Sequence, residues 1–393
     1  MASSVVIAGA RTPIGKLKGG LSDVAAVDLG AVAIREALAR SDVDPERVDY
    51  VIMGHVLQAG AGQITARQAA IGAGIPKEVP AVTINKVCLS GINAIALADQ
   101  LIRAGEVEIV VAGGMESMSR APYVLPKARD GSRLGDTEMV DSMIHDGLWS
   151  TFTRQHMGES SDEINAELGI TRTEQDEWAA RSHRRAAAGW ESGALAEEVV
   201  AVEVPSRGGA TTFDRDEGIR AQSTVESLAK LNPAFRADGT ITAGNASQIS
   251  DGAAAVIVTS RERADGLGLA PIAEIVAHGM SADRFPYLHT VPAIALQNAL
   301  KKAQLDVHDL GLLEVNEAFA AVALNVTRVL GFDEELVNVN GGAVALGHPI
   351  GASGARIVAT LLHELDRRGG RYGLATICGG GGQGDALVVR RIA

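Results

Sequence analysis

The chain has little cysteine, with only Cys88 and Cys378 among its 393 residues. Two thiols so far apart in the sequence do not form the disulfide framework of a small secreted domain, so a reducing compartment is the simpler expectation. No spacing of cysteine and histidine suggests a zinc site, and we predict no metal ligands. Each cysteine therefore needs an explanation of its own.

Aromatic residues, positive charge and long apolar runs are also scarce. Aromatics make up 3% of the chain, so Ala, Val, Leu and Ile must pack the core. A net charge of −12 without a basic stripe argues against a nucleic-acid partner. No apolar run reaches the roughly 20 residues of a membrane span, so no membrane partner is expected. A strand-like run begins at Val5, and we expect no leader peptide and a cytoplasmic location.

Strand-like and helix-like runs alternate along most of the chain, which favours an α/β fold. Around Cys88 a strand over 79–84, a helix over 92–103 and a strand over 107–112 are predicted. The last third repeats this order, with a strand over 336–340, a helix over 354–368 and a strand over 374–378. The sequence therefore predicts two similar halves with a site at their junction.

A polar, charged segment interrupts the alternation and is interpreted as an insertion. The boundaries that follow are a first half over 1–120 that is completed by 246–270, an inserted loop domain over 121–245 and a second half over 271–393. A chain of this length exceeds one ordinary domain, so several units sharing a core are expected.

Cys88 lies between a predicted strand and a predicted helix, in Asn-Lys-Val-Cys-Leu-Ser-Gly at 85–91. A free cysteine is usually a small buried hydrophobe. At the start of a helix, however, the backbone amides and the helix dipole favour an anion, which lowers the pKa of a thiol. Both a core residue and a nucleophile therefore remain open for Cys88.

Three further residues lie in settings that suit chemistry. Cys378 ends a strand-like run before four glycines, which favours an exposed tip with open backbone amides. His348 lies in Gly-His-Pro-Ile-Gly at 347–351, and Asn316 begins Asn-Glu-Ala-Phe. A core cysteine, a structural histidine and a helix-capping asparagine are the alternatives. Two thiols, an imidazole that moves protons and an amide are also the equipment for thioester carbon–carbon chemistry.

Four blocks resemble those of the thiolase family, in the family's order. They are Val-Cys-Leu-Ser-Gly at 87–91, Asn-Glu-Ala-Phe at 316–319, the glycine-rich run at 341–351 and Cys-Gly-Gly-Gly at 378–381. The resemblance covers essentially the whole chain. It implies a thiolase-like fold, in which two similar α/β/α/β/α halves are related by a pseudo-twofold axis. The inserted loop domain would cover the active site and bind CoA.

The resemblance also implies catalytic roles for five residues. Cys88 would carry the acyl group, His348 would take its proton, and Cys378 would remove the α-proton of a second acetyl-CoA. Asn316 would hold a water that forms an oxyanion hole with His348, and such a donor contributes roughly 3–4 kcal/mol. The backbone amides of Cys88 and Gly380 would form a second oxyanion hole.

A CoA site is assigned almost wholly from the resemblance. An ordinary charged surface remains the alternative for Arg220. No P-loop or dinucleotide fingerprint is present, so CoA thioesters are expected as substrates and no cofactor is expected to be permanently bound. The residues assigned to CoA are Leu148, His156, Met157, Arg220, Ser223, Ser227, Ala243, Ser247, Ala318 and Phe319.

Within the family, the sequence favours the biosynthetic type, which condenses two acetyl-CoA reversibly into acetoacetyl-CoA and CoA. The segments at 146–158, 244–247 and 338–342 resemble that branch, and Leu89, where small residues are common, would narrow the space beside the thiolate. The segment 248–251 looks closer to degradative enzymes, and 288–292 departs from the biosynthetic loop. A 3-ketoacyl-CoA thiolase of fatty-acid β-oxidation with longer substrates is therefore the alternative.

Two other classes of protein fit the residues less well. A decarboxylating ketoacyl synthase would carry a second histidine where Cys378 stands. A non-enzymatic CoA-binding module would need neither thiol. The resemblance also implies a homo-oligomer, a dimer paired into a tetramer through the loop from about 125 to 136.

Overall fold

The computed structural model describes residues 3–131, 134–206, 208–284 and 287–392. Strands and helices alternate in the first part of the chain, which is the pattern that its apolar periodicity predicts. These elements are β1 (Ser4–Arg11), β2 (Gly15–Lys16), α1 (Ala26–Ser41), β3 (Tyr50–Gly54), α2 (Thr65–Gly72), β4 (Ala81–Ile84), α3 (Ser90–Ala104) and β5 (Ile109–Ser117).

Short elements follow β5 and interrupt the alternation. Three two-stranded hairpins, β6–β7, β8–β9 and β10–β11, lie apart from the main sheet. The elements of this segment are β6 (Tyr123–Val124), β7 (Val140–Asp141), a π-helix (Met143–Leu148), β8 (Trp149–Ser150), β9 (Gln155–His156), α4 (Met157–Leu168), α5 (Arg172–Glu191), β10 (Val202–Ser206), β11 (Gly209–Phe213) and α6 (Val225–Leu228).

The rest of the chain returns to regular alternation. Its elements are β12 (Ser250–Ser260), α7 (Arg261–Leu267), β13 (Ala273–Ala282), α8 (Val291–Ala303), β14 (Leu312–Val315), α9 (Ala320–Leu330), α10 (Ala343–Leu346), α11 (Ile350–Arg368), β15 (Tyr372–Gly379) and β16 (Gln383–Arg391).

One continuous mixed sheet joins the two halves of the body. Strands β1, β12, β5, β3 and β4 lie side by side, and β13, β16, β15 and β14 lie side by side in the corresponding order. The two sets meet where β1 pairs antiparallel with β13, with Val5 opposite Glu274. The predicted α/β fold with two similar halves is thus confirmed.

The equivalent helices α3 and α11 pack against each other inside the body. A Cβ atom on Gly91 would lie 2.5 Å from the backbone nitrogen of Ala355. One on Gly354 would lie 2.3 Å from the backbone nitrogen of Ile92. Only glycine permits backbones to approach this closely. The contact places the N-terminal ends of α3 and α11 side by side.

Helix α3 is the most apolar long helix of the body. Among the described residues, the stretch 87–104 that contains it is the one helix whose length and apolar character would suffice to cross a membrane. In this structure 61% of that stretch is buried, against α11 and the strands around it. Its composition is that of a helix in the protein core.

Two predicted strands need correction. The strand predicted over 107–112 runs from Ile109 to Ser117, because Gly113 and Gly114 continue it where neighbouring backbones come close. A Cβ atom on Gly114 would lie 2.0 Å from the carbonyl oxygen of Gly351. The strand predicted over 336–340 is wrong: the segment follows a 3₁₀ turn, and Val337 makes a single bridge to β14.

Arg11, at the end of β1, connects the body to the segment between β5 and β12. Its buried guanidinium lies 2.6 Å from a Glu198 oxygen and 2.7 and 2.9 Å from the two Asp216 oxygens. The Trp190 indole also donates to Asp216, at 3.0 Å. Arg11 lies in the segment Ala-Arg-Thr-Pro-Ile-Gly at 10–15, and this ion cluster gives the segment a structural role.

Candidate active site

A cavity of about 460 Å³ opens beside the N-terminal ends of α3 and α11. Cys88, His348, Cys378 and Gly380 all lie on its wall. A cavity of this size is typical of small-molecule sites, which combine a mostly apolar lining with a few polar groups. The structure therefore brings four of the five predicted catalytic residues together around one space.

Cys88 lies on a sharp turn between β4 and α3. Val87, just before it, has a φ of +51°, a rare conformation for a β-branched residue. The Asn85 side chain accepts a hydrogen bond from the Val87 amide at 3.0 Å. The Ser90 hydroxyl accepts from the Lys86 amide at 2.8 Å and donates to the Val87 carbonyl at 2.6 Å. These bonds hold the turn in its strained shape.

Burial raises the pKa of the Cys88 thiol to about 12. The backbone N–H groups of Gly380 and of Cys88 itself bond to the sulfur and lower the pKa, but they do not offset the burial, and Glu116 raises it further. The low pKa expected from the helix start is therefore wrong for the ligand-free protein. Cys88 is therefore a thiol at neutral pH, and an attack by its sulfur would need a base.

His348 is held in the form that can act as this base. Its Nδ1 lies 2.6 Å from the Ser353 hydroxyl, which itself donates to the Pro349 carbonyl at 3.0 Å. The Ser353 oxygen must then accept a hydrogen bond from Nδ1–H, so we assign the neutral tautomer with a free lone pair on Nε2. Burial lowers the pKa of His348 to about 3, with a contribution from Arg356, so the resting imidazole is neutral.

Asn316 is fully buried and lies behind His348 rather than on the cavity wall. Its Nδ2 is 3.5 Å from both ring nitrogens, so the amide contacts the imidazole face instead of pointing at one nitrogen. The Arg356 guanidinium lies 3.5 Å from Oδ1. Because arginine only donates hydrogen bonds, this contact fixes which end of the amide faces the imidazole.

Cys378 is the penultimate residue of β15 and is 1% exposed, so the expected exposed tip is wrong for this residue. The tip of the β15–β16 hairpin is instead formed by the next glycines, of which Gly381 and Gly382 have φ values of +84° and +67°. Burial raises the pKa of the Cys378 thiol, and Cys88 raises it further. Both thiols line the same cavity.

Seven of the ten residues assigned to CoA line the same cavity. They are Leu148, His156, Met157, Ala243, Ser247, Ala318 and Phe319. The other three do not line it. Arg220 is exposed and donates its backbone N–H to His183 at 3.1 Å, Ser223 is half-buried, and Ser227 caps α6 together with Thr224. Their part in CoA binding stays a prediction.

Leu89 does not narrow the cavity. It is fully buried and absent from the cavity wall. A Cβ atom on Gly379 would lie 2.7 Å from the Leu89 side chain, which shows that Leu89 packs against the start of the hairpin tip. This expectation about the space beside the thiol is therefore wrong.

Phe235 is the main cavity residue that sequence reasoning missed. It stacks on His156, with ring centroids 4.6 Å apart, and meets Phe319 edge-on at 6.2 Å. No local sequence pattern around Phe235 predicts a site residue. The one hint is that phenylalanine is rare in this chain, which has six. Other missed lining residues are Lys16, Leu17, Met118, Ile144 and Ala234.

Comparison with known proteins places the chain in a family. The model described as thiolase, N-terminal domain, matches residues 4–262, and the model described as thiolase, C-terminal domain, matches residues 269–391. The fold, the paired thiols and these matches define a thiolase: the chain belongs to the thiolase family.

Relatives whose names state an activity match the chain along nearly its whole length. A probable acetyl-CoA acetyltransferase of Mycolicibacterium smegmatis is 58% identical over 388 residues, which cover 98% of this chain and 100% of that protein. An acetyl-CoA acetyltransferase of Pseudomonas aeruginosa is 50% identical, with 100% of both chains covered. The crystal structure of the Bacillus anthracis acetyl-CoA acetyltransferase has a TM-score of 0.97 at 43% identity, over 100% of this chain and 99% of that one.

The pKa near 12 predicts how Cys88 reacts with iodoacetamide in the ligand-free protein. Only the thiolate is alkylated, so the rate should rise about tenfold per pH unit between pH 7 and 10, without a plateau. Peptide mass mapping after short pulses measures the rate at Cys88 itself. In the denatured chain the same peptide should level off near the ordinary thiol pKa of about 8.5. A plateau below pH 9 in the folded protein contradicts the expectation.

Proposed function

We propose that this chain is an acetyl-CoA C-acetyltransferase, which joins two acetyl-CoA reversibly into acetoacetyl-CoA and CoA through an acetyl-Cys88 intermediate. The observation that carries the proposal is the single cavity lined by Cys88, His348 and Cys378, with the Gly380 amide on the Cys88 sulfur. Relatives at 50–58% identity over their full length have names that state this activity. No structural observation favours a longer-chain, degradative activity.

The first half-reaction transfers an acetyl group. The Cys88 sulfur attacks the thioester carbonyl while its proton passes to Nε2 of His348. The amides of Cys88 and Gly380, which bond to the Cys88 sulfur, would stabilise the tetrahedral oxyanion. The bond between the acetyl carbon and the CoA sulfur breaks, and the departing CoA thiolate takes the proton of Cys378. Acetyl-Cys88, protonated His348 and a Cys378 thiolate remain.

The second half-reaction forms the carbon–carbon bond. The Cys378 thiolate removes an α-proton from a second acetyl-CoA, and protonated His348 stabilises the enolate oxygen. The water that Asn316 would hold beside it stays a prediction, because the Asn316 amide lies behind His348 and not on the cavity wall. The enolate carbon attacks the acetyl group, and Cys88 leaves as a thiolate that recovers its proton from His348. Both thiols are then protonated again, so the cycle needs no outside acid, base or oxidant.

The same proposal assigns the contacts with CoA. The pantetheine arm would run along His156, Phe235 and Phe319, while Arg220 and Ser227, outside the cavity, would face the nucleotide. CoA thioesters act here as substrates, and the proposal includes no permanently bound cofactor. A cytoplasmic enzyme of lipid metabolism is the accompanying expectation.

Chain length separates the proposed activity from its degradative alternative. Thiolysis of acetoacetyl-CoA should have a higher kcat/KM than thiolysis of 3-ketohexanoyl-CoA and 3-ketodecanoyl-CoA. A hydrophobic pocket discriminates by about 1–3 kcal/mol per methylene, so some activity on the six-carbon substrate is expected. Cys88→Ala is the control and should abolish every rate. A steady rise in kcat/KM toward the ten-carbon substrate would move the assignment to the degradative type.

The two proton carriers should be separable by substitution. Cys378→Ala should still accept acetyl on Cys88, because a CoA thiol is acidic enough to depart unaided, but should lose condensation by about 10²–10⁴. It should also fail to exchange α-protons of a bound thioester with deuterated solvent. His348→Ala should impair both half-reactions. Mass mapping and deuterium exchange on the two variants provide the readouts, and normal exchange in Cys378→Ala refutes this division.

A homo-oligomer, a dimer paired into a tetramer, belongs to the proposal. The β6–β7 hairpin, at the base of the loop from about 125 to 136, carries Tyr123 at 63% exposure and Leu125 at 45%. Native mass spectrometry should give four times the 40.7 kDa chain mass. The double change Tyr123→Asp and Leu125→Asp should reduce this to a dimer, while Val329→Asp on the exposed side of α9 should not. A monomeric wild type, or a tetramer that survives the double change, contradicts it.

A further inference from the structure

One ion pair joins the turn that carries Cys88 to the β15–β16 hairpin that carries Cys378, and the two come from different halves of the chain. Lys86, two residues before Cys88, places its Nζ 2.8 and 3.0 Å from the two Asp385 oxygens. Asp385 is fully buried on β16, next to the position where Gly384 pairs with Cys378. The pair therefore links the turn that carries Cys88 to the hairpin that carries Cys378.

Lys86 is the strong partner of this carboxylate. Nε2 of His278 lies 3.7 Å from Asp385, beyond hydrogen-bonding distance, and has no other hydrogen-bond partner among the described residues. The Asn93 amide approaches only to 3.5 Å. The Lys86 side chain is 22% exposed, so water screens the pair only weakly. A two-oxygen contact between charged groups is stronger and more directional than a neutral hydrogen bond.

Besides the ion pair, the Gly380 amide of the hairpin bonds to the Cys88 sulfur, whereas the other side-chain hydrogen bonds of the turn do not cross to the hairpin. The bonds of Asn85 and Ser90 fix the shape of the turn, including the positive φ of Val87, but they reach no group on the hairpin. Across the gap, Leu89 packs against Gly379 and leaves no room for a Cβ atom there. Packing of this kind limits how near the loops come, whereas the ion pair draws them together.

We propose that Lys86 and Asp385 are positioning residues that hold the Cys88 sulfur against the Gly380 amide and at its working distance from Cys378. Neither side chain lines the cavity, so each acts through the thiols it places. A misplacement of about 1 Å can cost about 100-fold in rate. The inference rests on the proposed acetyl transfer, because both half-reactions use this placement.

Lys86→Met is the decisive variant, since it keeps the length of a partly exposed side chain and removes the charge. The kcat for acetoacetyl-CoA thiolysis should fall about 10–100-fold while KM stays within about threefold. Lys86→Arg should restore most of the rate. Asp385→Asn should also be slow, and combining it with Lys86→Met should add little, because both remove one interaction.

Arg390→Met is the matched control. Arg390 lies on the same strand as Asp385 and pairs with Glu274 on β13, away from the cavity. The Arg390→Met variant should lose an ion pair but keep the wild-type kcat. The Tm of every variant is measured as well, so that a loss of stability is seen separately from a loss of rate. Should Lys86→Met fail to fold, Asp385→Asn, which keeps the carboxylate's shape, is compared with Arg390→Met instead.

The outcomes separate the positioning role from the activity. An unchanged kcat in Lys86→Met, an equal loss in Arg390→Met, or no recovery in Lys86→Arg overturns the proposal. If the wild type lacks thiolysis, the proposed function fails, and iodoacetamide labelling of Cys88 at pH 9 tests the placement alone. Labelling should then be at least about threefold slower in Lys86→Met than in Arg390→Met, because losing the Gly380 bond raises the thiol pKa; equal rates refute the placement.

Discussion

The close approach of α3 and α11 is the constraint on which the rest of the site depends. Gly91 and Gly354 let the two backbones touch, since a Cβ atom at either would lie 2.5 Å or less from a backbone nitrogen. Gly114 lets the start of α11 approach β5 in the same way. Cys88, the proposed nucleophile, precedes one of these helices, and His348, the proposed base, precedes the other. Any side chain at the contact would therefore separate the two groups that must exchange a proton.

The same closeness buries the site and keeps its groups neutral at rest. A thiol with a pKa near 12 does not transfer its proton to an imidazole with a pKa near 3 until substrate is present. In the proposed reaction, the charge that develops on the substrate would therefore drive this transfer, and the amides of Cys88 and Gly380 would stabilise that charge. Burial thus makes the chemistry depend on a correctly placed thioester, because proton transfer and carbonyl attack have to occur together.

The sequence predicted which residues meet in the site better than it predicted how buried those residues are. Cys88, His348 and Cys378 could be found because each lies in a short block at an element boundary, and alternation predicted two halves. The prediction of a low pKa for Cys88 was wrong because α11 helps to bury the thiol, and no local pattern around Cys88 reveals that contact. Phe235 was missed because it reaches the cavity from an irregular segment. The segment 336–340, predicted as a strand, is a turn in the structure, because an apolar run does not show whether a neighbouring strand has a free edge to pair with.

Different parts of the fold supply different walls of the cavity. The two similar halves contribute the thiols, the imidazole and the glycines, all at fixed element ends. The segment between β5 and β12 contributes Leu148, His156 and Phe235, and the buried Arg11 cluster attaches it to β1. In the proposed reaction, proton transfer would need the first set held rigidly, whereas substrate fit would depend on the second. Substitutions in this segment can therefore change which acyl-CoA fits without altering how the protons move.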